Sequence, residues 1–194
     1  MKLTVRQDQA RSILNGPAKH VLLDGGSRSG KTFVIVRNIV LRALKAPKSR
    51  HAIMRFRFKH VKEAIGMDTL PNVIEKCFPG VPFDINKQDW YLPLPNRSEI
   101  WLAGLDDKDR TEKVLGKEFA TMYLNKCSQI PLASRNIAVT RLAQKCEYEQ
   151  EGEKKELALK MYYDCNPPSK AHWAYSFFHK LVNPENKEPL SPQD

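Results

Sequence analysis

The amino-acid sequence predicts an α/β fold built on a largely parallel central sheet. Short apolar runs alternate along the chain with longer segments of helical spacing. A glycine-rich stretch, residues 25–32, joins the first apolar run to the first long apolar helix. The chain has 194 residues, enough for one domain with a sizeable core, and no internal repeat is visible.

The elements follow in order. Residues 3–14 (LTVRQDQARSIL) carry apolar positions at Val5, Ala10, Ile13 and Leu14, a short helix that Gly16-Pro17 ends. Residues 20–24 (HVLLD) read as a buried strand, and residues 32–44 (TFVIVRNIVLRAL) as a largely buried helix stopped by Pro47. Residues 52–58 (AIMRFRF) read as a second strand. At strand period Phe56 and Phe58 would share one face, and Arg55, Arg57 and Lys59 the other. Residues 60–77 have a helical pattern, with Pro71 near a start or break. Trp90–Leu92 and Glu99–Ala103 form the arms of a hairpin turning at Asn96-Arg97-Ser98. Residues 104–113 are a charged loop, 119–124 (FATMYL) a buried strand, and 131–146 a helix through Leu132, Ile137, Val139 and Leu142. Residues 147–156 (EYEQEGEKKE) read as a charged loop and 157–164 (LALKMYYD) as a strand. From Asn183 the chain turns rich in Pro, Glu and Asn, the composition of a linker or frayed end, so the folded domain is expected over 1–182 and a tail over 183–194. Trp90, Trp101, Trp173 and His172 are expected in structural roles.

Composition narrows the function. Hydrophobic content of 41% with 28% charge describes a soluble globular chain, and no run approaches the roughly 18 apolar residues of a membrane span. The N-terminus lacks the apolar core of a secretory signal. Cys77, Cys127, Cys146 and Cys165 are scattered with no CxxC pair, which suits free thiols in a reducing cytoplasm better than a disulfide or zinc framework. A net charge of +10 and a pI near 9.5 favour a polyanionic partner, nucleic acid above all.

Gly25-Gly26-Ser27-Arg28-Ser29-Gly30-Lys31-Thr32 satisfies G-x-x-x-x-G-K-[ST], the P-loop pattern. Glycines let successive backbone N–H groups turn inward on phosphate oxygens, and the helix that follows aims its positive end at the same anion. Lys31 reaches the β- and γ-phosphates of ATP, and the Thr32 hydroxyl suits Mg²⁺. Arg28, inside the loop, either stabilises γ-phosphate charge in cis or faces solvent. Upstream, the amide of Gln7 offers one donor and one acceptor, the match for an adenine edge.

Several segments together resemble the large subunit of tailed-phage terminases, the DNA-packaging motor. They are the GGSRSGKT loop, Leu94-Pro95-Asn96-x-Ser98-Glu99-Ile100 with Gly104-Leu105-Asp106-Asp107, and Leu115-Gly116-Lys117-Glu118-Phe119. Tyr123-Leu124-Asn125-x-Cys127-Ser128-Gln129-Ile130 and Asp164-Cys165-Asn166-Pro167-Pro168-Ser169 with His172-Trp173 complete the set, which spans about residues 3–180. The resemblance implies a three-layer P-loop NTPase fold of the ASCE, RecA-like kind. It also implies ATP and Mg²⁺ as cofactors and hydrolysis coupled to packaging of double-stranded DNA. The implied partners are the portal protein, the small terminase subunit and further copies in a ring on the portal, in the host cytoplasm and with no membrane. The family's C-terminal nuclease is not in this chain, which therefore reads as the ATPase portion.

The resemblance assigns further roles. Asn125 would support Mg²⁺ through water together with Thr32, and Asn166 would couple the γ-phosphate to DNA movement. The next position after Asn125, where the family carries the catalytic Glu, is Lys126. A protonated lysine cannot take a proton from the attacking water, so ATP is expected to bind and be hydrolysed poorly. If the register is off, Asp24, Asp106 or Asp107 would supply the carboxylate. Arg97 and Arg110 are candidates for an arginine donated to a neighbouring subunit. A catalytically silent nucleotide-binding module and a helicase-type ATPase are the alternative functions.

Overall fold

The structure, a computed structural model, describes residues 3–106 and 116–191. Its central strands are β1 (His20–Asp24), β2 (Arg50–Arg55), β3 (Tyr91–Pro93), β4 (Glu99–Gly104), β5 (Thr121–Leu124) and β8 (Lys160–Cys165). Between β5 and β8 the chain forms a separate ribbon of β6 (Glu147–Gln150) and β7 (Glu153–Glu156). The six central strands make one sheet in the order β1-β8-β5-β2-β4-β3. All neighbours are parallel except the edge pair β3–β4, the expected hairpin. One face carries Val21, Leu23, Ile53, Leu102, Tyr123 and Tyr162, packed under helices α1 (Val5–Leu14) and α2 (Lys31–Lys45) and the helical run from Phe58 to Cys77. The other carries Met54, Trp101, Met122, Leu124, Met161 and Tyr163, under α5 (Leu132–Val139) and α6 (Trp173–Phe178). This alternation with period two gives three layers.

Helix α2 is buried over Val34, Ile35, Val36, Ile39, Val40 and Ala43, so burial of these side chains holds the strand–loop–helix unit together. The same helix carries polar groups toward the sheet. Asn38 donates to the Tyr162 hydroxyl at 2.9 Å, and Arg42 Nε to Thr121 Oγ1 at 2.8 Å.

Several expectations need correction. Strand β2 ends at Arg55, because Arg57 is already the cap of helix α3 (Phe58–Val61) and the Asp106 carboxylate accepts the Phe58 N–H at 3.0 Å. Phe56 and Phe58 therefore pack on opposite sides of the sheet, not on one, and Arg55 is buried. The helical run continues through a π-helical stretch (Lys62–Thr69) into α4 (Leu70–Cys77). Gly66 lies in the π-helical stretch where a Cβ would stand 2.8 Å from Leu102, so the lack of a side chain lets the helix sit against the sheet. Val5 and Ile13 face solvent. Helix α5 stops at Val139, not Cys146. Residues 147–156 are the β6–β7 ribbon, not a loop, with Glu149 opposite Lys154 and Tyr148 opposite Lys155. The segment from Asn183 is no frayed end through Leu190. It folds back with Leu190 N–H on Leu181 O, and Glu185 accepts from Asn136 at 2.8 Å.

The buried imidazole of His51 gives the fold a pH dependence. Ser49 Oγ donates to Ala46 O at 2.6 Å, so it accepts from His51 Nε2 at 2.8 Å. Nδ1 has no partner among the described residues. Burial first, then the Arg42 charge, lowers its pKa from 6.5 to about 3. This stabilisation is present above the unfolded value near 6.5 and is lost as pH falls toward 3. Urea unfolding should lose about 2 kcal/mol between pH 7 and pH 5 through this residue. The His51→Gln variant should lack that component; an unchanged difference would rule out His51 as its source.

Candidate nucleotide site

The site lies at the carboxyl edge of the parallel sheet, where β1 hands the chain to α2. β8 stands between β1 and β5, so the loop strand and the strand carrying Asn125 are separated by one strand. Pockets of open α/β sheets form at such edges. The turn needs Gly30 in the left-handed region, φ +81°, and a Cβ there would meet Gln7 Nε2 at 2.8 Å. Arg28 and Lys126 also adopt left-handed backbone, φ +61° and +53°. For non-glycine residues this costs on the order of 1 kcal/mol each, strain that surrounding structure must sustain. Helix α2 starts at Lys31 and has no side-chain cap at its N-terminus, so its first N–H groups point into the loop.

The Lys31 ammonium donates to Gly25 O and Gly26 O at 2.8 Å and to Ser29 Oγ at 3.0 Å. Its charge is thus held at the centre of the loop. Two clefts flank it. One, of about 220 Å³, includes Arg6, Gln7, Ala10, Gly26 and Lys31. The other includes Arg28, Thr32, Phe33, Asp68, Asn72 and Lys76. Gln7 is committed to its own helix. Thr4 and Gln7 form a capping box in which Gln7 Oε1 accepts the Thr4 N–H at 3.0 Å. Its amide nitrogen faces Gly30, which leaves donor capacity toward the cleft.

Under the loop sits a buried polar network. Leu23 pairs with Asp164 across β1–β8, and Leu124 with Tyr163 across β5–β8. Asp164 therefore lies between the end of β1 and Asn125, and period two turns Tyr123, Asn125, Tyr162 and Asp164 all toward α2. Asp164 Oδ2 accepts from Thr32 Oγ1 at 3.2 Å; Oδ1 accepts from Asn125 Nδ2 at 2.9 Å and from the Lys126 N–H at 2.7 Å. Asn125 Nδ2 also donates to the Tyr123 hydroxyl at 2.9 Å, so both its amide hydrogens are spent. Burial and the nearby Asp164 charge push the Tyr123 phenol well above its ordinary value of 10, which keeps it protonated. At the end of β2, burial lowers Arg55 below its ordinary value, while Asp164 and Tyr123 oppose that.

The expected site residues divide accordingly. The loop 25–32, Asn125 and Lys126 meet at this edge. Lys126 is exposed, and Asn166 is exposed one residue past β8. Asp24 pairs with His179 at 3.3 Å, and Asp106 caps α3, so neither is free for water activation in the structure. Asp107 and Arg110 lie outside the described residues. Arg97 turns the β3–β4 hairpin at the opposite, amino edge of β4. His172 caps α6, accepting from the Ala174 N–H at 3.2 Å, and burial lowers its pKa. Trp173 Nε1 donates to Ile130 O at 2.7 Å, tying that helix to the segment after β5. Asp164 was not singled out from the sequence. The available signal was an apolar strand, LKMYYD, closing on an acid.

A P-loop sequence at the β1–α2 junction, with one strand between it and the strand leading to Asn125, gives the chain the fold of the ASCE class of P-loop NTPases. The sequence matches the phage terminase large subunit family over residues 18–191, and the chain belongs to that family. Among solved structures it is similar to the large terminase of a thermophilic bacteriophage (TM-score 0.75, 17% identity), covering 98% of this chain and 45% of that one. The same phage protein in complex with ADP and with ATP-gamma-S matches at TM-scores of 0.72 and 0.71. Each of these is 16% identical, over 97% of this chain and 44% of that one. The large terminase ATPase domain of Thermus phage P74-26 matches at 0.60 and 16% identity, over 99% of this chain and 78% of that one. The chain thus has the fold of a terminase ATPase domain and spans less than half the length of the first of these proteins. No curated protein sequence matches it. No helix among the described residues is long and apolar enough to cross a membrane.

Proposed function

We propose that this chain binds ATP at residues 25–32 and is the motor domain of a terminase that couples ATP hydrolysis to packaging of double-stranded DNA. The observation that carries the reading is the Lys31 ammonium, held among loop carbonyls at the start of a buried helix. On binding, those carbonyls give way to β- and γ-phosphate oxygens, and the loop N–H groups and the helix end take the remaining charge. The Gln7 amide N–H is the group available to the base. The donor set beneath the loop is all oxygen and amide, which fits Mg²⁺. Thr32 would hold the ion, with Asn125 meeting one of its waters. When bound, Mg²⁺ neutralises phosphate charge.

Arg28 is placed in the loop to meet the γ-phosphate in cis. Lys126 stands where the attacking water needs a carboxylate, so turnover is slow. Asn166 follows the strand of Asp164, and the Trp173–Ile130 hydrogen bond offers a route from that segment to the residues after β5. The +10 charge suits a DNA partner. Portal protein, small terminase subunit and a ring of further copies follow from the family, at the portal in the host cytoplasm. The second reading, a nucleotide-binding module without turnover, is favoured by Lys126 alone.

Calorimetric titration with ATP and Mg²⁺ tests the proposal. Saturable binding with a Kd in the micromolar range, about −8 kcal/mol, is the expected result. Absence of heat at millimolar ATP would contradict it.

A further inference from the structure

Strand β5 runs into Asn125-Lys126, with no acid to hold the loop threonine or to face a metal ion. The structure supplies an acid from the neighbouring strand. We infer that Asp164 is the carboxylate of the metal site: it holds the Thr32 hydroxyl and faces the Mg²⁺ water shell from β8. This rests on the reading that the chain binds ATP at residues 25–32.

Three observations converge. The first is register. Leu23 pairs with Asp164 and Leu124 with Tyr163, which sets Asp164 level with Asn125 and between it and the loop strand, on the side of the sheet that α2 covers. The second is contact. Asp164 bonds to the two side chains that ATP·Mg²⁺ would need, Thr32 and Asn125, and to the Lys126 N–H, which the left-handed backbone of Lys126 turns toward it. The third is charge. Asp164 is 4% exposed, and no cation lies within ion-pair distance of it among the described residues. Thr32, Asn125, the Lys126 N–H and the Tyr123 phenol, which all bond to it, are neutral groups. Buried carboxylates are found paired or bound to a metal, and the buried Arg55 guanidinium acts on Asp164 only from beyond ion-pair range. A Mg²⁺ ion beside Thr32 would supply the missing charge in a shell of phosphate oxygens and waters, the setting in which Mg²⁺ uses one or two carboxylates. Asp164 is thereby a positioning residue for the ion and the threonine. Its hydrogen-bonded oxygens leave it poorly placed to take a proton from the attacking water.

The test uses the chain itself, a fluorescent ATP analogue, and Mn²⁺ as a stand-in for Mg²⁺ followed by water-proton relaxation. Asp164→Asn keeps a carbonyl for the Asn125 and Lys126 donors and presents an amide to the Thr32 oxygen, so the network can close without the charge. The ratio of analogue affinity with metal to that without metal should fall about 10- to 100-fold in this variant, with weaker Mn²⁺ binding. The exchange Asn125→Asp with Asp164→Asn moves the carboxylate to the adjacent strand end and should recover most of the ratio. A purely structural Asp164 would lower the melting temperature and both affinities together, and the exchange would restore nothing. An Asp164→Asn protein with the wild-type ratio and relaxation signal overturns the inference. If Asp164→Asn fails to fold, the exchange decides: recovered Mn²⁺·ATP binding supports it, and none overturns it. If the unaltered chain binds no analogue with or without metal, the ATP reading falls first and this inference with it.

Discussion

Replacing Lys126 with glutamate should raise ATP turnover by about 10² to 10⁴. Phosphoryl transfer is catalysed by positioning and electrostatics, and the attacking water must be oriented and relieved of a proton. Lys126 directly follows Asn125 at the end of β5, and its N–H is fixed to Asp164. A side chain at this position therefore starts from an anchored backbone. A lysine presents an ammonium, which repels a proton and attracts the γ-phosphate. A glutamate presents an acceptor. The position is exposed, so the exchange should leave folding intact, and ATP affinity should change less than turnover. Steady-state phosphate release from the two proteins, with and without double-stranded DNA, is the measurement. Equal rates would show that position 126 is not where water is activated, and would return attention to Asp24, whose partner His179 would then have to move.

Lys31→Ala should weaken ATP binding by about 30-fold or more, the effect of losing a cation that makes charge-assisted hydrogen bonds to phosphate. In the protein alone the same ammonium bonds to two loop carbonyls and to Ser29. Its removal also leaves Gly25 O and Gly26 O without the donor they share. The loss should appear in affinity at fixed Mg²⁺, and circular dichroism should be unchanged because the α2 core does not include Lys31. Equal affinities in calorimetry would remove the loop from the binding site.

The strand–loop–helix unit was legible because local chemistry determines it. An apolar run of five residues, glycines where the backbone must turn, and a long apolar helix agree with one another. The β3–β4 hairpin was legible for the same reason, from turn residues between two apolar arms. The end of β2 was not. It depends on Asp106, distant in sequence, accepting the Phe58 N–H. The β6–β7 ribbon was hidden because its Glu and Lys residues read as solvated charge, and their cross-strand pairing appears only in the register. Gln7 shows the limits of a residue pattern. The spacing Thr4-x-x-Gln7 suits a capping box as well as a base reader, and the structure commits the Gln7 oxygen to the cap. In the site, the family pattern drew attention to Asn125, Lys126 and Asn166. Asp164 emerged only once β8 was seen to lie between β1 and β5, because strand order is a tertiary property that adjacency in sequence does not reveal.

The central claim is that the β1–α2 junction cradles the phosphates of ATP. The most direct measurement is a crystal structure of the chain with a non-hydrolysable ATP analogue and Mg²⁺. The β- and γ-phosphates should lie inside residues 25–32, with Lys31 Nζ about 2.7–3.2 Å from their oxygens and no longer on the Gly25 and Gly26 carbonyls. A nucleotide bound elsewhere, or a loop whose lysine keeps those carbonyls at saturating analogue, would contradict it.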